Sequence, residues 1–182
     1  RILFIIKNKE FSSIVFLFVT LGFRILGFLC ALPTVLILWI LKPVFWLKVG
    51  RLHITRLGHL GFNTEVFLRR RQLGSYPDGP FYCFLAAPFQ FANHPLCNRQ
   101  LLDMHKRVIP VSESIILTAM YTGMLPILKW TPFYQSLDLH RTNHYHELNN
   151  AEPALSFTPD EIEKGRKLLN EMNVDLDKDE YV

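Results

Sequence analysis

At 182 residues the chain has room for one domain with a substantial core and is short for two. Hydrophobic residues make up 49% of it, more than a soluble domain of this size usually carries, and the excess lies near the N-terminus. The net charge of +4 is uneven, since residues 151–182 hold nine acids against four bases; the basic remainder points to anionic lipid headgroups or phosphorylated ligands, and no nucleic-acid module accompanies it.

From Phe11 to Leu47 the chain is almost entirely apolar, with Arg24 and Lys42 as the only charges. Its uncharged run, Ile25–Leu41, would be about 26 Å long as a helix, the lower limit for crossing a bilayer. A secretory signal peptide is the obvious rival, but the apolar region is too long for one and no small-residue cleavage pattern follows it. A buried core helix is the competing reading. Lys42, Lys48, Arg51 and Arg56 after the segment, against Lys7 and Lys9 before it, place the following domain in the cytoplasm. Arg24 and Pro33 also permit a bent hairpin dipping into one leaflet, so spanning and dipping both stay open. The expectation is a membrane-associated segment over residues 1–48 and an α/β domain over residues 49–182. Because the first residue is Arg1, a fragment or a processed form is expected.

Arg51–Leu57 alternates like a short strand, and Gly58-His59-Leu60-Gly61 breaks it. Helical spacing of Phe62, Val66 and Leu73 follows, with Glu65 early, Arg69–Arg71 late and Gly74 as C-cap. Ser75–Pro80 is a turn cluster, and Phe81–Ala87 a buried strand. A helix over Leu96–Arg107, a short strand at Val108–Val111 and a helix over Ser112–Tyr121 come next. Residues 122–157 read as loop with one short strand near Ser136–His140. Thr158-Pro159-Asp160-Glu161 opens a last helix with a capping box, ending near Asn173. An acidic turn follows at Asp175–Glu180, and Tyr181-Val182 resembles the opening of a strand. This alternation predicts an α/β domain with a largely parallel sheet.

Ligands of open α/β sheets bind beyond the carboxyl ends of the strands, which puts Arg56 through Asn63 at the mouth of any cleft. Gly58 and Gly61 would let backbone approach a ligand, and amides at the helix start would favour an anion or a sugar hydroxyl. His59 is a candidate general base, with Glu65 as the alternative. The competing reading makes the glycines a tight turn and His59 a capping or packing residue, and spacing alone favours it.

The stretch RLGHLGFNTEVFLRRRQLG resembles the N-terminal signature of a family of bacterial glycosyltransferases of surface-polysaccharide synthesis, in which a strand leads into a similar R-x-G-H-L-x-x-N-x-E run. NRQLLDMHKRVIPV (Asn98–Val111) and FTPDEIEKGRKLLNEMNV (Phe157–Val174) are similar to later parts of that family. The resemblance covers about residues 51–182 and implies a Rossmann-like N-terminal half of a two-domain GT-B enzyme. It further implies a nucleotide-sugar donor held by a second half beyond Glu180, a lipid-linked or polysaccharide acceptor held here, and residence at the bacterial inner membrane. On this reading the 182 residues alone are inactive. Arg56, Gly58, His59, Asn63 and Glu65 match the family motif. The expected chemistry is displacement at the anomeric carbon, with no cofactor and no essential metal.

Weaker signals lie elsewhere. His140, His144 and His146 are spaced like a metal site but lack a completing ligand apart from Glu147. Asp175, Asp177 and Asp179 form DxD triplets, yet they follow a helix rather than a strand and read as a solvated turn. Asn93 and His94, with Asn98 and Arg99, could line the same cleft or simply cap a loop. Cys30, Cys83 and Cys97, odd in number, read as free thiols without a catalytic partner. The alternative to an enzyme is a non-catalytic, membrane-anchored α/β module that recruits partners through its basic surface.

Overall fold

The computed structural model describes residues 2–87, 96–137, 145–172 and 174, with side chains from residue 15 onward except that of Tyr145. Along the chain lie α1 (Ile2–Leu41), β1 (Leu47–Arg51), a π-helical turn (His59–Asn63) running into α2 (Thr64–Gln72), and β2 (Phe81–Leu85). Then come α3 (Arg99–Val108), β3 (Val111–Ser112), α4 (Ile115–Leu128), α5 (Tyr145–Asn150) and α6 (Pro159–Glu171).

The sheet is parallel and small, in the order β1-β2-β3. Leu47 to Arg51 pair with Phe81 to Leu85, and Phe84 and Leu85 pair with Val111 and Ser112. On the free edge of β1 the Val49 N–H donates to Phe133 O at 2.8 Å, and Gln135 N–H donates to Val49 O at 3.0 Å. That bridge is also parallel, so residues 133–135 extend the sheet beside β1. Parallel neighbours need long crossovers, which α2, α3 and α4 provide.

Strand alternation divides the core into two clusters. On one face, Tyr82, Phe84 and Ala86 meet Phe67 and Leu68 of α2 and Leu102 of α3. On the other, Leu85, Val49 and Phe133 meet Tyr121 and Leu128 of α4 and Val35 and Leu38 of α1. The N-terminal helix therefore supplies part of the layer that covers the sheet.

α1 is one helix of 40 residues and runs through Pro33 without interruption, so no hairpin forms there. Within it Val15–Leu41, 27 residues of mean hydropathy 2.3, is long and apolar enough to cross a membrane. Its inward stripe of Thr20, Gly27 and Ala31 is buried, and the Thr20 hydroxyl donates to Phe16 O at 2.8 Å. Burial lowers the Arg51 pKa, with Tyr121 of α4 raising it and the Arg24 charge of α1 lowering it further.

Several expectations need correction. The first strand is Leu47–Arg51, not Arg51–Leu57, because Phe45 to Val49 continue the apolar run that ends the helix and mask the boundary. The region expected as loop contains the second half of α4, which passes through Pro126, as well as α5. A bridge position there is Tyr134; of the strand expected near Ser136–His140, residues 136 and 137 are outside any strand and residues 138–140 lie outside the described residues. Gly58 and Gly61 adopt no left-handed conformation; the positive-φ glycines are Gly74 (φ 67°) and Gly79 (φ 105°). Gly74 closes α2 as expected, with Ser75 N–H donating to Arg70 O at 2.9 Å. The capping box at Thr158 and Glu161 is present. Residues 138–144, with His140 and His144, Asn93 and His94, and the DxD turn with Tyr181-Val182 lie outside the described residues.

Candidate functional site

After Arg51 the chain leaves the sheet through a connection pinned at alternate residues. Leu52 is buried and its N–H donates to Leu85 O at 3.0 Å; Ile54 is buried and its carbonyl accepts from Cys97 N–H at 2.9 Å. His53, Thr55 and Arg56 between and beyond them are exposed. Helix begins within a few residues of the strand end, and its first full turn is π-helical. Such wide turns free a backbone carbonyl from its ordinary partner. Here Thr64 N–H bonds to Gly61 O, and the Leu60 carbonyl lies 3.0 Å from Nε2 of His105.

His105 is fully buried on α3, and burial lowers its pKa, so it is a neutral imidazole donating through Nε2. The turn that carries His59 is thus held from below by a side chain 45 residues later. Neither His105 nor His53 was singled out from the sequence. His105 had a signal, because it continues the apolar stripe of Leu101 and Leu102 one turn on. His53 had none beyond the alternation around it.

The imidazole of His59 is exposed, and its Nδ1 lies 3.3 Å from Nδ2 of the buried Asn63. The His53 ring stands beside it, centroids 5.7 Å apart. For Nε2 of His59 to accept a proton, Nδ1 must carry its own, and Asn63 must then present Oδ1. The two amide orientations have the same shape, so the buried Asn63 can hold the imidazole in either tautomer.

Arg56, Gly58 and His59 are therefore brought to one exposed corner, with Asn63 beneath. Gly58 has open space around the position a Cβ would take, whereas a Cβ on Gly61 would only touch Leu101 at 3.4 Å. Glu65 faces elsewhere. Its Oε1 receives Arg69 Nε at 2.8 Å and the Ala154 N–H at 2.9 Å, tying α2 to the segment after α5. The arginine run has similar duties. Arg69 also donates to Leu148 O and Ala151 O, Arg70 pairs with Glu147 at 2.6 Å, and Arg71 lies over the Tyr82 ring.

Asn98 caps α3 by accepting from Leu101 N–H at 2.9 Å, and Arg99 pairs with Asp103 and Glu113, which is the capping alternative for that segment. His146 is held by Asn150 on its own helix. Among the described residues no three His, Cys, Asp or Glu side chains gather as metal ligands. Cavities of about 340 and 290 Å³ lie at the other ends of α2 and α3, against Ala154 and against Phe157, and do not reach His59.

The position of this corner in the sheet is specific. From β1 the chain proceeds outward to β2 and β3, then returns through α4 to the opposite edge of β1. Strand order thus reverses between β1 and residues 133–135, and in open parallel sheets ligands bind beyond the carboxyl ends at such a reversal. His53 and His59 stand just beyond the carboxyl end of β1. No protein-family model matches the chain, and comparisons with curated proteins and with solved structures found no match either.

Proposed function

We propose that the chain is the acceptor-side, Rossmann-like part of a membrane-associated GT-B glycosyltransferase, with His59 as the base that deprotonates the acceptor hydroxyl. The observation that carries the reading is the exposed imidazole of His59, backed by buried Asn63 and placed where the strand order reverses. Nε2 takes the proton as the acceptor oxygen bonds to the anomeric carbon. The bond from that carbon to the nucleoside diphosphate breaks, and its electron pair leaves with the diphosphate. Arg56 and the exposed backbone around Gly58 would meet the acceptor, and a nucleotide-sugar donor would bind in a second α/β half facing the same mouth. An apolar helix packed against the domain suits a lipid-linked acceptor at the cytoplasmic face of a bacterial inner membrane. Glu65 is the poorer base, because its Oε1 is held by Arg69 and the Ala154 N–H and its Oε2 is buried.

The test is sugar transfer from nucleotide sugars to lipid-linked acceptors in vesicles, measured in the chain's full-length context. His59→Ala should lower kcat by about 10²-fold or more with folding intact. Glu65→Gln should lower stability while leaving kcat within a few-fold. Unchanged turnover in a folded His59→Ala protein removes the proposed base.

A further inference from the structure

α1 and α4 each lead into the same amino-terminal edge of the sheet, one before β1 and the other before residues 133–135, and so run side by side in one direction. They touch backbone to backbone. A Cβ on Gly27 would lie 2.1 Å from Met120 O, and a Cβ on Gly123 would lie 1.9 Å from Arg24 O. Ala31 and Ala119, each four residues from one of these glycines, are fully buried. Paired small residues at this spacing are how helices associate inside lipid, where no hydrophobic effect drives them together.

The outward surface of the pair is apolar without a break. Leu29, Leu32 and Ile40 on α1 are exposed by 67–69%, and Ile115, Ile116 and Leu117 open α4 exposed by 38–51%. Ile115–Leu128 carries no charge, and Arg24 is the only charge in Val15–Leu41. A surface of this kind is covered in a working protein.

The rim of the surface says by what. Lys42 lies 4.8 Å from the ring centroids of both Trp39 and Trp46 at the end of α1, and Lys129 and the 90%-exposed Trp130 follow the end of α4. Both helix ends meet at one edge, where Trp46 Nε1 donates to Pro132 O at 3.4 Å and Trp39 packs on Phe133. Tryptophan and lysine together mark the boundary of an anionic bilayer. α4 has 14 residues. At about 21 Å it is too short to cross a hydrocarbon core of about 30 Å.

We propose that α1 and α4 enter the membrane as one layer, with the outward face of α4 among the acyl chains of a single leaflet and the sheet resting on the pair. This deepens the membrane part of the proposed function and is independent of sugar transfer, so its failure leaves the base assignment standing.

The test uses the full chain in phosphatidylglycerol vesicles with brominated acyl chains. Trp39→Phe with Trp46→Phe leaves Trp130 as the only tryptophan of the three. Adding Trp130→Phe and Ile116→Trp moves the probe to the start of α4, and Leu29→Trp in the same background reports on α1. The layer predicts a blue shift and loss of most emission for all three probes. Water-like emission at residues 116 and 130, with residue 29 quenched by lipid, means that α1 enters alone and overturns the proposal. Wild-type protein gives a second readout if a variant does not fold, through a carbene probe dissolved in the bilayer. Label on peptides from Ile115–Leu128 supports the layer; label confined to α1 peptides, or absent from both helices, overturns it.

Discussion

Burial of the His105 imidazole holds its pKa below the ordinary 6.5, while its bond to the Leu60 carbonyl and the Glu65 charge pull the other way and do not restore it. In the unfolded chain the same group takes up a proton near pH 6.5. Below that pH the unfolded state binds more protons than the folded one, so stability is full above about pH 6.5 and falls as the solution is acidified toward the folded value. Urea midpoints measured from pH 7.5 to 5.5 should decline, and His105→Gln should flatten that decline. The variant should also cost about 1–3 kcal/mol at neutral pH, since the Leu60 carbonyl is left with a poorer donor. An unchanged pH slope in the variant would remove His105 from this role. At this scale the sequence points to His59 and Asn63 because a motif carries them. It hides His105 because a histidine within an apolar stripe is read as an irregularity until the carbonyl it serves is seen. Glu65 and Arg69–Arg71 looked like a site and a basic tail; the Glu65–Arg69 pair follows from helical spacing, but Ala154, Leu148 and Glu147, which hold Glu65, Arg69 and Arg70 in turn, are more than 70 residues away, and no spacing rule reveals them.

Elements show the same division between local and distant causes. The capping box of α6 and the Gly74 end of α2 are written in a few neighbouring residues and were legible. The start of β1 was not, because Phe45, Trp46 and Leu47, beyond the Lys42-Pro43 turn, are as apolar as the helix before them. The length of α4 was hidden by Gly123 and Pro126, which suggest a helix end when seen in sequence. Gly123 is there for contact with Arg24 of α1 rather than for conformational freedom. The two helices can therefore be tested as a pair. Gly27→Leu or Gly123→Leu should push them apart and destabilise the chain by about 1–3 kcal/mol or more, as overpacking does. Gly22, with nothing within 4 Å of a built Cβ, is the control on the same helix. Gly22→Ala should be neutral or stabilise by up to about 1 kcal/mol through helix propensity. Equal effects at positions 22 and 27 would mean that α4 does not pack where described.

At the scale of the molecule, a hydropathy profile shows α1 as an apolar segment ahead of the domain, and in the fold Val35 and Leu38 of that helix pack on the sheet. Leu85, which pairs with Arg51 at the carboxyl end of β1, belongs to the cluster that α1 and α4 cover, so the candidate site and the apolar layer share a neighbourhood. Charge is arranged to match. Many basic side chains are already engaged: Arg69 and Arg70 hold the segment around α5, Arg99 and Lys106 meet Glu113, and Arg107 meets Glu161. Lys42 instead lies over Trp39 and Trp46 at the rim of the layer, Lys48 lies between the Trp46 and Tyr82 rings at the edge of the sheet, and Lys129 is exposed at the end of α4. Each such cation near an anionic surface contributes about 1 kcal/mol within a Debye length. Replacing Lys42, Lys48 and Lys129 with alanine should therefore weaken flotation with anionic vesicles at low salt by about 2–3 kcal/mol. The same variant should bind neutral vesicles nearly as the wild type does, because the apolar face is unchanged. Salt should erase most of the difference on anionic lipid. Arg69→Ala should behave oppositely, leaving vesicle binding alone while lowering the unfolding midpoint, since its partners are Glu65, Leu148 and Ala151. If the triple variant instead floats equally well on anionic vesicles at low salt, these lysines do not meet the bilayer and the layer is oriented another way.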